Sequence, residues 1–323
     1  MTVPVQAMAP SESPQATSVD LSIKLGSLRL ANPVGLASGT CGYGLELSGF
    51  LDLDGLGAVY TKGLSLEPRP GNPPRRIGEV PAGMINRIGL QNVGLEVFVR
   101  DKIPALARTG AAVIPNLAGS TLDEYAEMAA RLDGVPGVAA LEINASCPNV
   151  THGGIEFGTD PRALAELTSR VRVRTRLPLI VTLTPHHAIE ELARAAESAG
   201  ADALAAVNTV PALWVEPRVR EGKLRAEVLA GGMSGPALRP IALRCARLAA
   251  RATRLPVVGI GGIEHLQDIL AFLAVGATAV QVGTATFTEP GIGQRLVGEL
   301  ADWVRAQGAS RLVDLLPSRE DLP

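Results

Sequence analysis

The stretch LPVVGIGGIEHLQDILAFLAVGATAVQVGT, Leu255 to Thr284, decides the fold. LPVVGIGG is an apolar run ending in glycines, EHLQDILAFLAVGA has helical periodicity, and TAVQVGT is apolar again. Strand, helix and strand in that order form a β-α-β unit, whose strands run parallel and are buried on both faces. The same alternation extends toward the N-terminus through PVGLA (33–37), GAVYTK (57–62), AVIPNLA (112–118), VAALEIN (138–144), LPLIVTL (177–183) and ADALAAVN (201–208). With the two runs of the opening stretch these make eight strand candidates, the number that closes a parallel barrel, so the expected fold is a (β/α)8 barrel.

Helical stretches fill the intervals: 94–108, 121–132, 160–175, 187–200 and 235–253. Several open on Thr or Asp and close at Gly, as helix caps do. LSIKLGSLRL (21–30) alternates apolar and polar residues around Gly-Ser and reads as a hairpin over the barrel bottom. Two connections, Gly63 to Val93 and Val210 to Met233, are too long for plain loops. Both leave C-terminal strand ends, where a barrel keeps its chemistry.

The chain has 323 residues, 46% apolar and 19% charged, with a net charge of −2, which suits one large core and shows no basic stripe for nucleic acid. MTVPVQAMAPSESPQATSVD lacks the basic start and apolar run of a signal peptide, and residues 1–20 read as a loose tail before a single domain of 21–323. No apolar run reaches the roughly 20 residues of a membrane helix. Three cysteines, Cys41, Cys147 and Cys245, without CxxC or HxxxH spacing, give no disulfide framework and no metal site, which fits a reducing cytoplasm.

Barrel strands deliver their last residues to one mouth, and here Asn116, Asn144 and Asn208 each end a strand, while Asn86 and Asn149 lie in loops that could join them. Amides offer donors and acceptors together, so a ring of them suits a flat heterocycle edged with carbonyl and N–H groups. A single such asparagine more often satisfies loop backbone; five converging ones favour a ligand. Strands seven and eight end in GIGG and VGT, the place where barrels commonly hold phosphate, which marks Gly261, Gly262, Gly283 and Thr284. GxGxxG would have to open the first unit of a doubly wound sheet, so a mononucleotide phosphate fits better than a dinucleotide. Cys147, between Asn144 and Asn149 and beside Pro148, could be a metal ligand, a nucleophile with His152, a proton-transfer group or a small buried apolar side chain. Cys41 and Cys245 are read as buried apolar residues.

INASCPNVTHGG (143–154), KGLSLEPRPGNP (62–73), GMINRIGLQNVGLE (83–96), GGMSGP (231–236), GIGGI and VGTATF occur in an order that resembles dihydroorotate dehydrogenase, specifically the NAD-linked subclass paired with an iron-sulfur flavoprotein subunit. The resemblance runs from about residue 21 to the C-terminus. It implies a barrel with FMN in its mouth that oxidises dihydroorotate to orotate, with FAD and a 2Fe-2S cluster confined to the partner subunit, and a homodimer of this chain. It makes Cys147 the base that removes the C5 proton while hydride leaves C6 for flavin N5, and brings Lys62 against both flavin and substrate. Around the substrate it implies Asn86, Arg87, Ile88, Gly89, Leu90, Asn144, Asn149, Asn208 and Thr209. Along the flavin it implies Ser38, Gly63, Asn116, Asn144, Thr182, Val207 and Gly235, with Gly261, Gly262, Gly283 and Thr284 at its phosphate.

Two stretches depart from the family pattern. VTLTPH (181–186) stands where the pattern is VKLSPN, so Thr182 replaces a lysine expected near flavin N1 and the C2 carbonyl. A hydroxyl offers only a neutral hydrogen bond where an ammonium would stabilise developing negative charge. Arg87 or His186 could restore that charge, against the simpler reading of each as a solvated loop residue, which is taken for His186. NTVPALWVEP (208–217) carries Pro211 and Trp214 where a small, flexible stretch is usual. These departures leave room for another heterocyclic substrate. A non-catalytic ligand-binding barrel is the third reading, and the presence of both Lys62 and Cys147 counts against it.

Overall fold

The computed structural model describes residues 19–145 and 157–323. A hairpin, β1 (Ile23–Leu25) and β2 (Leu28–Leu30), precedes the first barrel strand. It turns through Gly26 at φ +60°, where a Cβ would come within 3.1 Å of Asp202 Cβ, so the hairpin covers the end where the barrel strands begin, as expected.

The barrel strands are β3 (Val34–Leu36), β4 (Ala58–Tyr60), β7 (Ala112–Ile114), β8 (Asn116–Leu117), β9 (Leu141–Asn144), β10 (Leu179–Leu183), β11 (Ala203–Ala206), β14 (Val257–Ile260) and β15 (Ala277–Val282). They pair in parallel in the order β7-β4-β3-β15-β14-β11-β10-β9-β8. The two ends of that order, β7 and β8, are halves of one strand split at Pro115, so the nine segments are eight strands and the sheet closes on itself. Pro115 has no N–H for the ladder, and its carbonyl instead accepts from the Glu142 N–H at 2.9 Å. Each of the eight expected apolar runs contains a barrel strand.

The long connections build a second sheet. β5 (Ile77–Val80) and β6 (Gly83–Asn86) come from the first, β12 (Val210–Arg220) and β13 (Lys223–Ser234) from the second, and the antiparallel order is β12-β13-β6-β5. Gly231 and Gly232 permit the join: a Cβ on Gly231 would lie 2.1 Å from the Asn86 carbonyl oxygen, and one on Gly232 would lie 2.1 Å from Thr209 Oγ1. Beyond that join β12 and β13 continue as a ribbon, closed by a two-residue turn in which Glu221 (φ 55°) and Gly222 (φ 72°) both take the positive φ of a twist-matched hairpin.

Helices pack around the barrel. The segment 95–106 forms α1 (Leu95–Val97), a π turn over Phe98–Lys102, and α2 (Ile103–Leu106), whose Pro104 cannot donate an i−4 bond. α3 (Leu122–Leu132) is capped by the Thr121 hydroxyl, and α4 (Pro161–Arg172) by Asp160, which accepts from the Arg162 and Ala163 N–H groups. α5 (Ile189–Ser198), α6 (Arg239–Ala252), α7 (Leu266–Ala274) and α8 (Ile292–Ala306) complete the ring. Their apolar faces bury Leu164, Leu192, Phe272 and Leu296 against the strands. Among the described residues no helix is long and apolar enough to cross a membrane.

Candidate active site

The barrel interior beneath the mouth is polar where apolar side chains ordinarily fill such barrels. β8, β9, β10 and β15 point Asn116, Glu142, Thr182 and Gln281 at one another, all buried. The Glu142 carboxyl accepts from Asn116 Nδ2 at 2.5 Å, Thr182 Oγ1 at 2.8 Å and Gln281 Nε2 at 3.0 Å. Tyr60 on β4 faces the same layer. Its hydroxyl is buried without a partner in hydrogen-bond geometry among the described residues. Burial, and after it the Glu142 carboxyl, hold that phenol well above its ordinary range, with Gln281 acting the other way.

From this layer a chain of amides climbs toward the mouth. Asn144 Nδ2 donates to Asn116 Oδ1 at 3.4 Å, and Asn208 Nδ2 donates to Asn144 Oδ1 at 3.2 Å. The Asn208 Oδ1 accepts from the Thr209 N–H at 2.7 Å, while the Tyr125 hydroxyl fixes the Asn144 carbonyl at 2.7 Å. Every amide in the series donates downward and ends on Glu142. The three strand-end asparagines singled out in the sequence thus meet.

Lys62 and Gly63 leave β4 beside them. A Cβ on Gly63 would touch Asn116 Oδ1 at 3.3 Å and the Leu90 side chain at 3.7 Å, so the 86–90 segment closes over this side of the chain. Lys62 is half-buried, and its ammonium is held below its ordinary value first by burial and further by the cation of Arg76, the Cys41 thiol acting in the opposite direction. Arg76 is fixed by the Asn72 and Pro70 carbonyls and by Gln91. A desolvated ammonium is suited to an anionic ligand, whose charge would offset the cost of its burial. Asn86 Nδ2 donates to the Gly232 carbonyl at 3.2 Å, and Thr209 packs on the same glycine, so these two share one wall. Arg87 is exposed, held by its backbone to Arg76 and Asn72. Ile88 and Gly89 lie on the inner side of the same turn against Asn72 and Gly71.

The glycine positions also converge. A Cβ on Gly262 would lie 2.9 Å from the Gly235 carbonyl oxygen and 2.7 Å from Arg239 Cβ, and one on Gly235 would lie 2.7 Å from Gly83 Cα and 3.6 Å from Thr284. Thr284 Oγ1 donates to Ser234 Oγ at 2.8 Å, and a Cβ on Gly283 would reach Ala37, next to Ser38, at 3.3 Å. Gly261 takes φ +130°, Gly262 +71° and Gly235 +101°. Asp268 braces the turn by accepting from the Glu264 and His265 N–H groups and pairing with Arg239 at 2.5 Å. The Val207 N–H donates to the Ile260 carbonyl at 3.2 Å, tying the end of β11 to this corner. A backbone-walled corner of glycines beside an amide-lined floor fits a planar, carbonyl-edged ring with a phosphate tail, the outline of FMN.

Cys147, Asn149 and His152 lie outside the described residues. Cys41 and Cys245 are buried, and burial pushes the Cys41 thiol up to about 12, in keeping with their reading as apolar side chains. The Thr182 hydroxyl is committed to Glu142, and His186 Nδ1 accepts from the Ala188 N–H at 3.3 Å. Neither bond brings a replacement cation to position 182. The reading from sequence missed Glu142, Gln281 and Tyr60. The available signal was a glutamate inside the apolar strand VAALEIN, since an acidic side chain in a doubly buried strand needs specific partners.

The family model described as dihydroorotate dehydrogenase matches residues 20–304. Dihydroorotate dehydrogenase B (NAD(+)), catalytic subunit, of Pelobacter propionicus is 47% identical over 302 residues, 93% of this chain and 99% of that protein. Its namesake from Trichlorobacter lovleyi is 48% identical over 301 residues, 93% of this chain and 98% of that protein. Among solved structures, a crystal structure of DHODH in complex with ferulenol from Eimeria tenella superposes with a TM-score of 0.74 at 23% identity, covering 92% of this chain and 88% of that one, which supports the barrel fold.

Proposed function

The chain belongs to the dihydroorotate dehydrogenase family, and on that footing we propose that it is a catalytic subunit oxidising (S)-dihydroorotate to orotate in pyrimidine synthesis. The family is FMN-dependent, and the NAD-linked relatives are named as catalytic subunits, which implies a second subunit. One observation carries the assignment of the site: the downward-donating amides Asn208, Asn144 and Asn116 beside Lys62, with the glycine corner at the last two strands.

In this reading Gly235, Gly261, Gly262, Gly283 and Thr284 hold the phosphate of FMN. Ser38, Lys62, Gly63, Asn116, Asn144, Thr182 and Val207 line its ring. When bound, FMN supplies at N5 the acceptor for the hydride leaving C6 of the substrate. The protein's own work is orientation and proton removal. Asn86 to Leu90, Asn144, Asn149, Asn208 and Thr209 offer paired donors and acceptors to the pyrimidine carbonyls and N–H groups. Lys62, largely desolvated, offers charge to the substrate carboxylate. Cys147 takes the proton from C5 as the C5–C6 double bond forms; an accessible thiol can be tuned into the range a general base needs.

The protein is taken as one FMN-binding domain of residues 21–323 behind a tail of 1–20, working in the cytoplasm. Electrons leave for NAD through a partner subunit carrying FAD and a 2Fe-2S cluster, and the chain pairs with a second copy. The ribbon β12–β13 supports pairing: Leu213, Val215, Val219, Leu224 and Val228 form one exposed apolar face. Purified protein should be yellow, and anaerobic titration with dihydroorotate should bleach its visible absorbance in proportion to flavin. Bound flavin that stays oxidised would reject the substrate and leave the rival heterocycle reading standing.

A further inference from the structure

The end of the barrel opposite the mouth carries a cleft of about 290 Å³, bounded by the hairpin β1–β2, the turn from α6 into β14, the start of β15 and the C-terminal segment 316–322. Lys24 lines it from the hairpin, Arg254 from the turn and Arg319 from the C-terminal segment, and no carboxylate lines it among the described residues. No ion pair of the described residues involves these three cations, whereas Arg172, Arg239, Arg295 and Arg305 all have acidic partners. The carboxylates bordering the cleft are already engaged. Asp202, beside Gly26, pairs with Arg172 at 2.8 Å and accepts from the Leu179 N–H at 2.8 Å. Glu197 accepts from the Arg254 N–H at 2.7 Å, and Asp321 accepts from Ser318 Oγ at 2.5 Å. A concave surface lined by one sign of charge concentrates its field and draws the opposite ion.

A second observation points into the same cleft. Where β14 pairs with β15, Val257 faces Ala277 and Val258 faces Ala279, so Thr278 is an extra residue opposite no residue of β14. A bulge of this kind re-aims a side chain, and Thr278 lines the cleft. Leu273 and Leu322 supply an apolar wall beside it.

We propose that this cleft is a second binding site, for a phosphate group either free or on a small ester with an apolar body. A phosphate presents at least three oxygens to the cations of Lys24, Arg254 and Arg319, and the guanidinium fork matches its geometry. The Thr278 hydroxyl adds a neutral donor, and Leu273 and Leu322 offer contact to the body of an ester. The volume lies at the small end of the range for ligand pockets, which favours a compact ligand. About 20 Å of strand, from Thr278 to Thr284, separates the cleft from the glycine corner at the mouth. A bound anion would tie the hairpin, the barrel and the C-terminal segment together.

The inference is independent of the function proposed above. Isothermal titration calorimetry of the flavin-loaded, full-length protein with inorganic phosphate and with phenyl phosphate tests it. One saturable site per chain is expected, weakened by added sodium chloride. Lys24→Glu combined with Arg254→Glu should lower the affinity at least about tenfold, and Lys24→Arg combined with Arg254→Lys should keep it within about threefold. Flavin content should be unchanged in both. Thermal unfolding gives a second readout: ligand at about 100 times its dissociation constant should raise the melting temperature of the wild type about 3–5 °C and leave the charge-reversed variant where it was. Phenyl phosphate binding more tightly than inorganic phosphate would identify an ester as the ligand, and equal affinities would identify free phosphate. No saturable binding of either probe up to about 10 mM would overturn the proposal. Binding that survives the charge reversal and is lost in Lys62→Ala would overturn it equally, by placing the anion at the mouth.

Discussion

The barrel floor and the β12–β13 ribbon invert the usual distribution of polarity in opposite directions. On the floor, Asn116, Glu142, Thr182 and Gln281 are buried where Val, Leu and Ile normally fill a barrel. On the ribbon, Val219 is 74% and Leu224 76% exposed, opposite each other in register, on a face shared with Val215, Val228 and Leu213. The opposite face of the ribbon is laced with ion pairs, Arg218 to Glu216 at 3.2 Å, Arg218 to Glu227 at 3.1 Å and Arg220 to Glu227 at 2.9 Å. A buried polar group is stable only when its partners are built in, so the floor carries its own hydrogen-bonding partners. An exposed apolar face needs no internal partner and gains by covering itself. On the function proposed above, the floor serves the recognition of a small polar ligand and the ribbon the meeting with a second chain.

The largest effect on this contrast comes from removing chemistry at the mouth. Cys147→Ala should slow flavin reduction by dihydroorotate about 10²- to 10⁴-fold in stopped-flow absorbance, with flavin content unchanged. On the floor, Glu142→Ala should cost roughly 2–4 kcal/mol of unfolding free energy in denaturant titration, because three buried donors lose their acceptor. Gly262→Val should strip flavin from the purified protein, since its side chain would collide with Gly235 and Arg239; flavin-to-protein absorbance ratios measure this. On the ribbon, Val219→Asp combined with Leu224→Lys should change the unfolding free energy of the isolated chain by only about 0.5 kcal/mol, yet lower the mass read by light scattering from two chains toward one.

The smallest effect is a slope. Glu142 binds its proton more tightly when folded than unfolded, so above its ordinary value of 4.5 the native state holds the extra proton. Stability contributed by this group is complete below that value and declines as pH rises toward the raised native value. Thermal unfolding of the wild type relative to E142Q should therefore lose ground from about pH 4.5 upward, and parallel curves would contradict a raised native value.

Most of the barrel was legible because it is local: each buried parallel strand announces itself as a short apolar run, and each of the eight runs holds one. The strand-end asparagines were legible for the same reason, since position at a strand end fixes where a side chain goes. Glu142 was not, because its meaning comes from partners 26, 40 and 139 residues away in sequence, joined only by barrel closure. Beside Asn144 in a single strand it reads as one charge in an apolar run. The ribbon left a visible trace, the alternation of Leu213, Val215 and Val219 and the Glu221-Gly222 turn, but Pro211 and Pro217 argue against a strand. Those prolines are tolerated because β12 is the outermost strand of its sheet, where few N–H groups are needed. Edge position depends on sheet order, which no local pattern records.

The division of labour between floor and ribbon is tested most directly by one comparison of anaerobic flavin-reduction rates, Asn144→Ala against Val219→Asp, in flavin-loaded protein at saturating dihydroorotate. The polar floor predicts a fall of at least about tenfold for the first, from loss of a central amide, and a change within about twofold for the second. Rates that are equal in the two variants, or lower on the ribbon, would contradict the placing of the chemistry at the barrel mouth.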